Sequence, residues 1–459
     1  MSRKLQMLMR PALLLLLVLC ASAQNQFIVR VGPGQLNHLV SRFGLTVGNQ
    51  LGELGTNVYV VTAPAGSGVT AELLASEPGV QSVEGDQPIK LPGKSKIVNK
   101  PAGGKFVKPS GIGILPPASI PGYFSQPAAS VIGVDGAHQI ATGTGTVAFL
   151  DTGVDFTNNI LTPYLVPGAD FTSASGGIGQ DSFQVGQSTT SILDSDSMVE
   201  LSQSTTSILD YTGTCQSTTS ILDYTGTCQS TTSILDQSTT SILDDGTPIP
   251  NAYGHGTMVA GVIHMVAPTA MLMPVKVFGD DGTSQLSTLL NGFYWAMNHG
   301  ARVINMSFSL ASPSPEFQKA LQTANAQGII CVASAGNDGQ DILVYPAAYS
   351  NVIGVASTDN SGVRSSFSNY GPVSALAAPG EEIFSTFPGN RFAAGWGTSF
   401  SAPMVSGAMS LLLQMNSQLN QQTAGNAITQ ADPLDPGLGA GELDLVKALQ
   451  YVIGHGGNH

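Results

Sequence analysis

The chain has 459 residues, 10% of them charged and 54 of them glycine, with a formal net charge of -13. Its length suffices for two or three domains with full cores, and the scarcity of charge excludes a solvated coiled coil or an acidic disordered chain. The negative balance argues against nucleic acid or an anionic membrane as partner.

The first residues read as an export signal. Arg3, Lys4 and Arg10 give a basic start, and Ala12–Cys20 is an apolar run too short to span a bilayer. Ala21-Ser22-Ala23 matches an A-x-A cleavage site. Residues 1–23 are thus expected to be removed and the product secreted, with no membrane association afterwards. Leu19 is too bulky before Cys20 for a lipoprotein signal. The other cysteines are Cys215, Cys228 and Cys331. One lies in the leader and two lie in a repeat, so there is no disulfide framework.

Residues 24–90 read as a small α+β unit. Phe27–Val31, Asn57–Thr62 and Val80–Val83 are strand-like, while Leu36–Phe43 and Ala71–Ser76 have helical spacing. Residues 91–119 form a linker rich in lysine, glycine and proline, exposed and protease-sensitive in composition.

The main domain is placed at 120–459. Ala137–Ala141 is a helix end. Thr146–Leu150 is a buried strand that delivers Asp151-Thr152-Gly153 at its C-terminal end, the edge of an open α/β sheet where sites form. A D-T-G also marks aspartic proteases, but those need two copies and this chain has one.

Gln-Ser-Thr-Thr-Ser-Ile-Leu-Asp then occurs five times, starting at Gln187, Gln203, Gln216, Gln229 and Gln237. The uneven spacing excludes a solenoid. The polar, repetitive stretch at about 184–246 reads as a surface insertion, with an adhesive or binding loop as the alternative. Gly254-His255-Gly256-Thr257 follows, its glycines allowing close backbone approach around a histidine at a helix start. A buried structural histidine is the plainer alternative.

A βαβα rhythm runs on. Strands are expected at Met271–Phe278, Val303–Ser307 and Ile329–Ala333, and helices at 286–297 and 317–324. That alternation predicts an α/β fold with a central parallel sheet and helices on both faces, three layers in all. Asn337, at the end of a strand in Ser334-Ala335-Gly336-Asn337, could donate its amide to an oxyanion, and a turn asparagine fits equally. Finally, a small-residue turn leads through Gly397-Thr398-Ser399 into an apolar helix, with Pro403 assigned to its first turn. Ser399 stands at the helix N-terminus, where free N–H groups favour developing negative charge. An N-cap serine would look the same.

Together, D-T-G, G-H-G-T and G-T-S-x-S-A-P resemble the three catalytic motifs of the subtilisin-like serine proteases, in that family's order. The resemblance runs from Ile120 to the C-terminus. It implies a triad of Asp151, His255 and Ser399, with Asn337 in the oxyanion hole. It also implies specificity-pocket walls at Ser307, Phe308 and Ser309 and at Ser334, Ala335 and Gly336, and a substrate-pairing edge at Gly282 and Thr283. Gly79–Asp86 resembles the end of the family's inhibitory propeptide, so the chain's own pro-unit is an expected partner. A cis proline is implied at Tyr345-Pro346. Met258 replaces a commonly seen second histidine, which is not catalytic. Ser309 stands where glycine is frequent, which leaves the pocket depth open. The turn read at Gly261–Pro268 is shorter than the calcium-binding loop of many members, so no metal is expected there. No cofactor is required, and calcium elsewhere stays open.

These readings converge on a secreted monomeric serine endopeptidase acting on proteins or peptides. The alternatives are a catalytically silent relative acting as an extracellular binding or adhesion protein, and another serine hydrolase such as an esterase. The intact triad favours the first.

Overall fold

A computed structural model describes residues 25–52, 56–91, 111–115, 120–173, 179 and 252–455. The leader, the repeats and Cys20, Cys215 and Cys228 lie outside the described residues. The chain divides into two compact units, Met1–Pro88 with Gln285–Ser287, and Ile89–Ser284 with Thr288–His459.

The smaller unit carries an antiparallel sheet of β1 (Gln26–Val31), β2 (Thr46–Gln50), β3 (Val58–Thr62) and β4 (Val80–Gly85), in the order β2-β3-β1-β4. Two helices, Leu36–Phe43 and Ala71–Ala75, accompany it. Phe27, Val29, Leu39, Val61 and Leu74 form its core. The expected elements are present, and β2 is an addition. Its sequence, T-V-G-N-Q, is polar and largely exposed, which hides a strand from a reading based on apolar runs.

The larger unit begins at Ile89, within β5 (Pro88–Lys90). Its centre is a seven-stranded sheet of β7 (Thr146–Asp151), β8 (Ala169–Asp170), β9 (Met271–Lys276), β11 (Ala301–Met306), β12 (Ile330–Ser334), β13 (Ile353–Thr358) and β14 (Leu376–Pro379). The order is β14-β13-β12-β11-β7-β9-β8, and every neighbouring pair is parallel. The chain leaves β7 toward β8 and β9 on one side, then crosses to β11 on the other. The C-terminal end of β7 is therefore a topological switch point, where such sheets open a crevice.

Alternate side chains serve the two faces. Val147, Phe149, Leu272, Val303 and Val332 join a core with the helices His255–Val266 and Thr398–Met415. On the other face Val275 packs against Gly292 of the helix Leu286–Asn298, which follows β10 (Thr283–Gln285). Phe293 of that helix meets Phe317 of the helix Pro315–Ala326 edge to face, centroids 5.3 Å apart. The three-layer expectation holds.

A second sheet was not foreseen: β15 (Ile383–Phe387), β16 (Arg391–Trp396) and β6 (Gly111–Leu115), all antiparallel. β6 falls inside the stretch read as linker. The Tyr345–Pro346 peptide is cis, as the resemblance implied.

Two local expectations are corrected. Gly261–Pro268 was read as a turn, but the histidine helix continues unbroken to Val266. Gly261 is there for close approach, since a Cβ on it would overlap the Ser385 and Thr386 hydroxyls. Pro403 was placed in the first turn of its helix, yet the helix starts at Thr398 and encloses the proline.

Candidate active site

The Asp151 and His255 motifs are laced together by backbone and hydroxyl groups. Gly256 N–H donates to Thr152 Oγ1 at 3.0 Å, and Asp155 N–H donates to Thr257 Oγ1 at 2.9 Å. Each motif thus caps the backbone of the other. His255 Nδ1 lies 2.7 Å from Asp151 Oδ1, and the two side chains are 11% and 0% exposed. A carboxylate accepts only, so Nδ1 carries the proton and Nε2 is left as the accepting nitrogen. Thr152 N–H donates to the same Oδ1 at 2.8 Å.

Lys276, at the end of β9 beside Asp151, was not singled out from the sequence. It is buried, and its ammonium donates to the Thr152 carbonyl and to Asp280 Oδ1, the latter at 2.8 Å. A lone lysine in an apolar strand carries no signal of its own, because its partner Asp280 lies beyond the strand.

Ser399 is the second residue of its helix, so its N–H is one of the donors left without a helical acceptor. Its Oγ donates to the Ser307 carbonyl at 3.2 Å. The next ring, Phe400, lies 5.6 Å from the His255 ring, tilted by 47°. The two helices approach closely at Gly407, where a Cβ would stand 2.7 Å from Val266 Cβ.

Asn337 Oδ1 accepts from the Thr398 N–H at 3.0 Å and from its hydroxyl at 2.8 Å. Those two donors identify which atom is the oxygen, and leave Nδ2 as the donor on the other side. Nδ2 stands beside Gly397, where a Cβ would come within 3.2 Å of it. Gly397 has φ 148, a backbone conformation suited to glycine.

The expected pocket walls are adjacent. Ser307 and Phe308 follow β11, Ser334–Gly336 lie at the end of β12, and Ser334 Oγ donates to the Phe308 carbonyl at 3.4 Å. The Phe308 ring turns into the core against Phe278 and Phe317, and the residue is buried. Ser309 is half-buried beside it. Gly282 accepts from the Leu91 N–H at 2.8 Å, so an extended segment of the chain pairs with the expected edge, next to the exposed Thr283.

A family model described as the subtilase family matches residues 143–446. Among curated proteins, subtilisin BL of Lederbergia lenta is 41% identical over 172 residues, covering 36% of this chain and 64% of that protein. Thermitase of Thermoactinomyces vulgaris is 37% identical over 222 residues, covering 45% of this chain and 78% of that protein. Among solved structures, fervidolysin from Fervidobacterium pennivorans, a keratinolytic enzyme related to subtilisin, superposes with a TM-score of 0.64 at 21% identity. That superposition covers 93% of this chain and 61% of fervidolysin, and speaks to fold. The chain belongs to the subtilase family. It spans less than two thirds of the length of the first of these relatives.

Proposed function

We propose that the chain is a serine-type endopeptidase that cleaves protein or peptide substrates through Asp151, His255 and Ser399. The observation that carries this reading is the buried 2.7 Å contact of Asp151 with His255 Nδ1, together with a Ser399 that is the second residue of its helix and follows Thr398, whose N–H donates to Asn337 Oδ1. A serine hydroxyl is a weak nucleophile until a base takes its proton. His255 Nε2 is that base. Ser399 Oγ turns from the Ser307 carbonyl, gives its proton to Nε2 and attacks the scissile carbonyl carbon. Asp151 stabilises the imidazolium and holds its tautomer. The oxyanion is met by the Ser399 N–H and Asn337 Nδ2. The imidazolium then protonates the leaving amine, giving an acyl-enzyme, and a water activated by His255 hydrolyses it.

The chain is further proposed to be exported, to carry residues 24–90 as an inhibitory pro-unit, to remove that unit itself and to act as a monomer. No calcium ion is assigned after His255. Calcium needs several oxygen ligands, and Val262, Ile263, Met265 and Val266 are buried apolar residues of a continuous helix.

Turnover of denatured casein by purified enzyme, with Ser399→Ala as control, tests the reading. Activity in the parent and none in the variant is expected. A folded, processed parent that cleaves neither casein nor peptides would favour the silent relative, and cleavage of simple esters alone would favour an esterase.

A further inference from the structure

An α-helix satisfies each carbonyl with the N–H four residues later. Pro403 has no N–H, so the carbonyl of Ser399 has no helical donor. That carbonyl is nevertheless bonded: the Ser307 hydroxyl donates to it at 2.9 Å. The direction of this bond is set by the carbonyl, which can only accept, and the side chains behind it agree. Ser406 Oγ donates to Asn305 Oδ1 at 2.9 Å, and Asn305 Nδ2 donates to Ser307 Oγ at 2.9 Å. The Ser307 oxygen is thereby an acceptor toward Asn305, and its own hydrogen goes to Ser399. Asn305, Ser307 and Ser406 are fully buried, so these bonds are shielded from bulk solvent. The same residue holds Ser399 a second time, because the Ser307 carbonyl accepts from Ser399 Oγ.

We propose that Ser307 is a positioning residue for the nucleophile, its hydroxyl standing in for the helical donor that Pro403 removes and so fixing the first turn of the serine helix. This rests on the reading of Ser399 as nucleophile. The sequence places Ser307 in a pocket wall, and the structure adds a separate task for its side chain. Three consequences follow. Pro403 is tolerated inside the helix because Ser307 replaces the lost bond. The Ser399 carbonyl, held from the sheet side, fixes the Ser399–Phe400 peptide, whose N–H donates to the Gly397 carbonyl at 3.0 Å, and so holds the turn that carries the nucleophile. The serine helix is thereby tied to the central sheet, since Asn305 and Ser307 belong to the end of β11 and the residue just past it.

The proposal makes proline and serine interdependent, so a rescue can test it. In Ser307→Ala the Ser399 carbonyl is left unbonded in a dry site. Replacing Pro403 with alanine as well returns a backbone N–H to the fourth position and satisfies the same carbonyl. The full chain, Ser307→Ala, Pro403→Ala and the double variant are compared by three readouts: kcat and KM on a chromogenic peptide, the rate of Ser399 modification by a small phosphonyl fluoride, and the thermal midpoint. The small reagent fills no extended cleft, so it does not report on the pocket wall. Ser307→Ala is expected to lower kcat and the modification rate by roughly 10- to 100-fold through misplacement of the nucleophile, with KM changed less than about twofold. The double variant is expected to regain most of both rates. A Ser307→Ala enzyme that reacts at the parent rate, whatever its thermal midpoint, would overturn the proposal, as would a folded double variant no faster than Ser307→Ala. A parent chain that neither turns over peptide nor takes up the reagent would overturn the nucleophile reading, and the positioning proposal with it.

Discussion

Gly256 lies against Gly153 so closely that a Cβ on Gly256 would overlap the Gly153 carbonyl oxygen. The loop after Asp151 and the start of the histidine helix, each bearing a catalytic candidate, meet where neither has a side chain. Gly256→Ala must therefore push the histidine helix away from β7. A displacement of about 1 Å can cost roughly 100-fold in rate. The variant is expected to lose at least that much kcat/KM on a peptide substrate while keeping the far-ultraviolet circular dichroism of the parent. Parent-like activity would show that this contact does not set the geometry of the pair.

Asn337 is held by Thr398 through its oxygen, which leaves its nitrogen as the donor for an oxyanion. Asn337→Leu keeps the volume and removes the donor. The expected loss in kcat is borrowed from subtilisin, where removing such a donor costs roughly 100- to 1000-fold. KM should stay within a few-fold. A variant with unchanged kcat would remove Asn337 from the oxyanion hole.

Much of this was legible in the chain itself. The three motifs carry small residues around one reactive side chain, and small residues are what close approach requires. The parallel sheet announced itself through β7, β9, β11 and β12, which are nearly continuous apolar runs. The hairpin of β15 and β16 did not, because Ser385, Thr386, Ala393, Ala394 and Gly395 read as a polar or small-residue loop. All five are buried, Ser385 and Thr386 against Gly261 of the histidine helix and Gly395 against Phe400 of the serine helix, a tertiary fact without a local signal. Ser385 Oγ and Thr386 Oγ1 bond to the Met258 and Thr257 carbonyls at 2.7 and 2.8 Å. Pro403 misled for a related reason: the rule for proline at a helix start is local, while the donor that excuses it comes from Ser307, 92 residues away from Ser399.

Glu442 is a buried acid whose stability effect has a definite sign. Burial raises its pKa from 4.5 to about 7, opposed by the Thr358 hydroxyl, which donates to Oε1 at 3.0 Å, and aided by Asp359 and Asp432. Between those two values the folded chain holds the proton and the unfolded chain does not. Folding stability therefore falls as the pH rises from about 4.5 to about 7, by at most on the order of 3 kcal/mol. Glu442→Gln should remove that loss. Measured in a Ser399→Ala background, its thermal midpoint is expected to exceed that of the parent near pH 8, with the gap closing toward pH 5. A gap that widened on acidification would show that the carboxylate is the favoured form.

The repeats can be removed if they are an insertion on a finished domain. The body is tied on both sides of them: Val154 N–H donates to the Gly179 carbonyl at 3.0 Å, and Ala252 N–H to the Asp280 carbonyl at 2.9 Å. Closing a loop between held ends changes by only about 0.6 kcal/mol per doubling of length. Deleting Gln187–Asp244 should leave casein cleavage within about twofold of the parent and the thermal midpoint within a few degrees. An insoluble variant, or an inactive one with its pro-unit intact, would make the segment structural.

The most direct test of the central claim is mass spectrometry of the purified chain after treatment with a phosphonyl fluoride. One covalent adduct per chain is expected, located on Ser399 by peptide mapping. The adduct should be absent from Ser399→Ala and formed at least 100-fold more slowly in a folded His255→Ala variant, since the serine then lacks its base. A parent that takes up no reagent, or a Ser399→Ala variant labelled as fast as the parent, would contradict it.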